Sequence, residues 1–235
     1  MKRGNKRDFI NEIYIKRSKY FKPKENFAKL IKLISKDSPK LNFSLLDVGC
    51  ANGELLFNLQ KEFKQANLTG IDVDQKVLEK AKKFYPKNII FKKKSAASSQ
   101  FSNKKFDYII CCGVLSIFKD GEKILKNLKN NLKKDGKIFI FDSFNKYFFN
   151  LDIFAKDYKN KKIRIFQKNV YSIQFIEKFF KRKKMKVKSY PFYLKTNLKK
   201  NKKDLIYNWT ESASGKKIVT SGLGILQYQY WLKIY

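Results

Sequence analysis

The sequence predicts an α/β fold, a doubly wound and mostly parallel sheet with helices on both faces. Three observations carry that reading. Short apolar runs alternate with segments of helical periodicity between residues 41 and 142. The first run ends on Asp47 beside Gly49 and Gly53, and a helix-forming run, Glu54-Leu55-Leu56-Phe57, follows at once. The second run, LTGID, ends on another acid, Asp72. A strand, a tight glycine turn and a helix N-terminus in succession build a ligand pocket at the strand ends of open α/β sheets.

The elements follow in order. Residues 1–37 read as a basic helical N-terminal extension, two helices broken near Pro23. In the second, Phe27, Leu30, Ile31 and Ile34 have i, i+3, i+4, i+7 spacing, which marks a helix packed on the domain. A basic amphipathic helix on a membrane surface is the alternative. Residues 38–235 read as one domain with its core at 41–142. Strands are expected near 43–48, 67–73, 88–92, 106–112 and 136–142, and helices near 53–65, 75–85 and 119–133. Asp74 reads as a helix N-cap, ahead of Val77, Leu78 and Ala81 on one face. Asp120-Gly121 opens the third core helix, and Lys134-Asp135-Gly136 turns into the fifth strand.

Residues 143–235 are less regular and richer in β-structure. A strand is expected at 161–167. A helix capped by Ser172, burying Ile173, Ile176, Phe179 and Phe180, should run to 181. Then come a strand at 185–194, a hairpin turning at Ala213-Ser214-Gly215, and an aromatic strand from Ile225 to the end.

Composition excludes several chemistries. There is no histidine among 235 residues, which removes the commonest general base and metal ligand together. Three cysteines make neither a disulfide framework nor a zinc site, so no metal is expected, and the thiols read as reduced in a cytoplasmic protein. No run approaches the ~18 apolar residues of a spanning helix. The basic start, MKRGNKRDF, is followed by no apolar stretch, which argues against a signal peptide. The net charge of +34 should attract polyanions such as RNA. The basic set is almost all lysine, however, and lysine, asparagine, isoleucine, phenylalanine and tyrosine share A/T-rich codons. Compositional drift and a functional polyanion surface both account for the charge.

The turn also discriminates between ligands. A dinucleotide site wants G-x-G-x-x-G, whereas here the spacing is Gly49-x-x-x-Gly53 with Ala51 between. A carboxylate at 47 would repel a pyrophosphate and suit a ligand with an amino group and a sulfonium. The stretch LLDVGCANGELL resembles motif I of the class I S-adenosylmethionine-dependent methyltransferases, D/E-x-G-x-G-x-G, with Ala51 replacing the middle glycine. Three further segments resemble that family in order. They are LTGIDVDQKVLEKAK at 68–82, FDYIICCGVLSIF at 106–118 and LKKDGKIFIFD at 132–142.

The resemblance implies a seven-stranded sheet closed by an antiparallel last strand, and S-adenosylmethionine as cofactor. It places Asp47, Gly49, Cys50, Ala51 and Gly53 in the cofactor turn. Asp72 would take the ribose hydroxyls and Val73 would pack on the adenine. Ser95 and the Ala96 amide would face the adenine edge, Ser95 standing where the family often carries an aspartate. The backbone of Cys112 and Gly113 would hold the methionine amino group. It also makes residues 1–37 a lid and 143–235 the substrate side. Asp142 then becomes the candidate proton acceptor, against the plainer reading that it caps a turn. Tyr14, Tyr20 and Asn145 are candidate substrate contacts, as are Trp209, Tyr228, Tyr230 and Trp231 unless they are core. The expected function is methyl transfer to a small-molecule or sugar-like acceptor, on oxygen or nitrogen. An RNA methyltransferase and a non-catalytic cofactor-binding partner protein are the alternatives. The stretch Cys111-Cys112-Gly113-Val114 lacks the [DNS]-P-P-[YF] signature of amino methylation on DNA bases or glutamine.

Overall fold

The computed structural model describes residues 23–37, 40–85, 87–157, 164–200, 208–222 and 225–235. Helix α1 (Glu25–Ser35) leads into β1 (Ser44–Val48), α2 (Glu54–Glu62), β2 (Asn67–Asp72), α3 (Gln75–Phe84) and β3 (Ile90–Lys93). The chain continues through β4 (Phe106–Cys112), a short 3-10 turn (Leu115–Ile117), α4 (Gly121–Asn130) and β5 (Leu132–Ser143). Beyond it lie β6 (Leu151–Asp157), β7 (Arg164–Val170), α5 (Ile173–Lys181), β8 (Val187–Phe192), β9 (Trp209–Ala213), β10 (Lys216–Thr220) and β11 (Gln229–Ile234).

The main sheet has seven strands in the order β3-β2-β1-β4-β5-β11-β8. The first five run parallel, and β11 lies antiparallel between β5 and β8. The strand order reverses between β1 and β4, which opens a crevice at their C-terminal ends. This is the expected doubly wound sheet, closed by an antiparallel last strand. Two hairpins, β6-β7 and β9-β10, stand outside it.

Side-chain alternation sends each strand's residues to two separate cores. Leu45, Tyr108, Ile110, Phe139, Phe141 and Trp231 pack under α1, α2 and α3. Leu46, Val48, Ile109, Cys111, Ile138, Ile140 and Leu232 pack under α4 and α5. This parity decides which polar residues at the strand ends can meet. Asp47 falls on the α1–α2 face with Leu45, and Ser143 joins it there with Phe139 and Phe141. Asp142 falls on the α4–α5 face with Ile138 and Ile140.

Helix α1 is part of the core. Phe27, Leu30, Leu33 and Ile34 are buried, each contributing about 1.5–3 kcal/mol of burial. The indole Nε1 of Trp231 donates to the Asn26 carbonyl at 3.1 Å. Just past the helix, Asp37 pairs with Lys137 at 3.1 Å and with Lys233. The expected helix caps are present: Asp74 accepts from Val77 N, Asp120 from Lys123 N and Ser172 from Phe175 N.

Two expectations need correction. The fifth strand begins at Leu132, four residues before the expected start at 136. Phe106 pairs with Leu132, but Tyr108 pairs with Lys137, so the expected Lys134-Asp135-Gly136 turn is a bulge inside the strand. The segment before 161 holds an unexpected strand, β6, which pairs antiparallel with β7. No helix among the described residues is long and apolar enough to cross a membrane.

Candidate functional site

The crevice is built where β1 and β2 end. The Gly49 and Cys50 amides both donate to the Ile71 carbonyl, at 2.8 and 3.0 Å, folding the turn after β1 against β2. Gly49 has φ +75°, and a Cβ there would lie 2.3 Å from Val114 Cγ2. Only glycine satisfies both conditions. Gly53 has φ +79°, and a Cβ there would meet the Phe91 ring at 2.7 Å. Ala51, where the motif has its middle glycine, also sits at positive φ, 46°. Its methyl group is therefore carried by a left-handed backbone that glycine would adopt more readily. Cys50 turns into the protein and is buried.

Asp72 closes the turn. Its Oδ2 accepts from the Ala51 amide at 3.0 Å and its Oδ1 from the Asp74 amide at 3.0 Å. Each oxygen keeps a further lone pair for a ligand hydroxyl. Asp47 is 2% exposed. Burial raises its pKa to about 7, nearby Asp72 adds to the rise, and Lys24 opposes it. Lys24 itself pairs with Glu54 at 3.1 Å, the first residue of α2. Two carboxylates on one face of the crevice, one pushed toward its neutral form, suit a ligand with ribose hydroxyls and a positive centre. The turn thus fits an adenosyl sulfonium cofactor, and a Cβ at Gly113, where β4 ends, would meet nothing within 4 Å. The Gly113 amide donates to the Phe141 carbonyl at 2.7 Å, which ties the end of β4 to β5.

The remaining expected cofactor residues are placed as follows. Val73 is half-buried beside Asp72. The Ser95 hydroxyl accepts from Ala97 N at 3.1 Å, and the Ala96 carbonyl accepts from Asn127. Cys112 is half-buried and accepts weakly from Asn26 at 3.6 Å. Burial pushes the thiols of Cys50 and Cys112 well up, which disfavours a thiolate nucleophile.

The acceptor side departs from expectation. Asp142 is 6% exposed on the face opposite Asp47. Its carboxylate accepts from Ser116 N at 3.0 Å and from Ser143 N at 2.9 Å. Those bonds brace the turn after β4, the plainer of the two roles expected for it. Asn145 is likewise committed: its amide donates to the Phe149 carbonyl and its oxygen accepts from Tyr147 N. It shapes its own loop. Trp209 and Trp231 are buried, whereas Tyr228 and Tyr230 are half-buried. Tyr14 and Tyr20 lie outside the described residues.

Sequence reasoning missed a polar group beside Ser143. Lys168 of β7 donates to Ser143 Oγ at 3.0 Å and to Gln227 Oε1. Gln227 donates in turn to Asn208 Oδ1 at 3.1 Å. These residues come from four distant segments, and the lysine is one among many, so no local signal marked it. Among the described residues no cluster of acids and cysteines could hold a metal ion.

The profile of the methyltransferase-domain family matches residues 39–213. The ubiquinone biosynthesis O-methyltransferase of Pelagibacter ubique is 34% identical over 119 residues, 50% of this chain and 49% of that protein. A tRNA U34 carboxymethyltransferase of Campylobacter curvus is 33% identical over 109 residues, 44% of this chain and 36% of that protein. The chain thus spans about half or less of these curated relatives. Among solved structures, the DhpI–SAH complex superposes with a TM-score of 0.60 at 9% identity, covering 97% of this chain and 93% of that one. The glycopeptide N-methyltransferase MtfA gives 0.58 at 9% identity, covering 89% and 90%. At such identities the likeness is one of fold.

Proposed function

The chain belongs to the methyltransferase-domain family, the class I S-adenosylmethionine-dependent methyltransferases, and from that premise we propose that it methylates a small-molecule acceptor on oxygen or nitrogen. The observation that carries the cofactor half is the paired acid geometry, Asp47 buried at the end of β1 and Asp72 anchored by two backbone amides. The cofactor supplies an activated methyl group on a sulfonium. Asp72 would accept the ribose hydroxyls, Val73 would cover the adenine, and Ser95 and Ala96 would border its edge. Asp47 would compensate the positive end of the ligand, and the Cys112–Gly113 backbone would hold its amino group. The chain's own contribution to transfer is alignment and exclusion of water.

The acceptor would lie beyond Gly113 and Phe141, under residues 143–235. Helix α1, packed into the core, would form a fixed wall there. A sugar-like or aromatic acceptor accords with the half-buried Tyr228 and Tyr230 near Lys146. The O-methyltransferase relative also supports a small acceptor. An RNA acceptor is the second reading, favoured by the tRNA-modifying relative and the +34 charge.

Two measurements test this. S-adenosylhomocysteine at 100 times its dissociation constant contributes about 2.7 kcal/mol, so Tm should rise by roughly 5–10 °C, with no comparable effect of NAD. An unchanged Tm at millimolar ligand would remove the cofactor assignment. Labelled methyl from S-adenosylmethionine should then pass to members of a panel of phenols, sugars and amines. Label found in transfer RNA and in none of the panel would transfer the assignment to RNA.

A further inference from the structure

Asp37 is paired with two lysines, and Glu54 with Lys24. Lys168 differs from those lysines in having no carboxylate in contact among the described residues. Its ammonium has three donors, and the acceptors it meets are two neutral oxygens, Ser143 Oγ and Gln227 Oε1. Ser143 is 3% and Gln227 8% exposed, and Lys168 itself is half-buried. Among the described residues no carboxylate forms an ion pair with it. Asp142 attracts it from beyond contact distance, and burial still lowers its pKa. A half-buried cation without a contacting counter-ion is well placed to take up an anionic ligand.

Its position says what that could be. Ser143 follows Phe141 on the same face of β5, the face that carries Asp47. The Phe141 carbonyl holds the Gly113 amide at 2.7 Å. Lys168 therefore stands over the joined ends of β4 and β5, where the acceptor is placed by the function proposed above. Gln227, held by Asn208 at 3.1 Å, keeps its carbonyl oxygen on the ammonium and fixes that group in place.

We propose that Lys168 is the oxyanion anchor of the acceptor pocket, so that the substrate carries a carboxylate or phosphate close to the atom that is methylated. This rests on the methyltransferase reading and narrows it to acidic acceptors. The lysine would give the anion a charge-assisted hydrogen bond beside its two neutral oxygen partners.

The test uses the whole chain with saturating S-adenosylhomocysteine. Thermal unfolding is compared in sodium chloride, sodium benzoate and sodium phosphate at equal ionic strength. The proteins are the wild type, Lys168→Met, Lys168→Arg and, as a surface control, Lys178→Met. An anion at about ten times its dissociation constant should raise the wild-type Tm by ~3–6 °C over chloride. Whichever of benzoate or phosphate acts identifies the anion. The rise should persist in Lys168→Arg and Lys178→Met and vanish in Lys168→Met. A lysine that merely braces Ser143 and Gln227 predicts a lower Tm for Lys168→Met with an undiminished anion rise, and that result overturns the proposal. So does a wild type that responds equally to all three salts, a result that needs no variant to fold. Failure of S-adenosylhomocysteine alone to raise Tm would count against the cofactor site, while the same anion series without it still reports on Lys168.

Discussion

Asp47, the proposed partner of the ligand's positive end, is held against the interests of the empty fold. Its pKa is raised from 3.8 to about 7, by burial first and by Asp72 second. A carboxyl raised by folding stabilises the protein while protonated; that contribution is complete below pH ~4 and is lost as pH rises through about 7. Asp47→Asn should therefore stabilise the ligand-free protein at pH 8, by on the order of 2 kcal/mol or roughly 4–8 °C, and do little at pH 4. The same variant should lose cofactor. In the wild type, affinity for S-adenosylhomocysteine should climb about tenfold per pH unit below 7 and level above it, because the ligand's ammonium group needs the ionised acid. Calorimetry giving one affinity from pH 5.5 to 8 would rule out this role. Ala51 offers a second test. Its left-handed backbone costs about 1–2 kcal/mol, against roughly 0.4–1 kcal/mol returned by a less flexible unfolded chain. Ala51→Gly should raise Tm by ~1–4 °C, and a lower Tm would mean that the methyl makes a contact worth more than the strain.

At the scale of elements, α1 is a wall because both its ends are tied. Trp231 reaches the Asn26 carbonyl at one end, and Asp37 gathers Lys137 and Lys233 at the other. Removing the shared acid leaves two poorly exposed lysines facing each other, so Asp37→Ala should cost about 3 kcal/mol, roughly 6–12 °C in Tm. An unchanged melting curve would show the pairs to be incidental. Most elements were legible because each apolar stripe had one period. The turn, Asp47 and Asp72 were legible because strand, turn and helix follow each other without a gap. β6 was not, since Phe154 at 60% exposure puts an aromatic among its solvent-facing residues and blurs the alternation. The start of β5 was hidden by a bulge that reads locally as a turn. The face of Asp142 was illegible too: β5 is apolar on both sides, with Ile138 and Ile140 against Phe139 and Phe141, so alternation left no mark. Lys168, Ser143, Gln227 and Asn208 meet only through tertiary contact.

For the whole molecule, the open question is what a charge of +34 does. Phosphate readers favour arginine, whose planar fork grips two oxygens at once, whereas this chain's positive charge is almost all lysine. Lysines lie on the exposed faces of α1, α3, α4 and α5 on both sides of the sheet. A charge spread in this way attracts polyanions without orienting them. RNA should therefore bind weakly, with little preference for sequence or fold. Each neutralised phosphate releases counterions, and 6–10 such contacts weaken binding by about 10³–10⁵ between 50 and 200 mM salt. Filter binding with a structured transfer RNA and a random single strand, across that range, measures both slope and selectivity. The small-acceptor reading expects parallel, steep lines and negligible retention of either RNA at the higher salt. Selective nanomolar binding of the transfer RNA near 0.15 M salt would require contacts that diffuse charge does not provide. The late aromatics would then be read as base-stacking groups, and the acceptor pocket would have to admit a nucleotide.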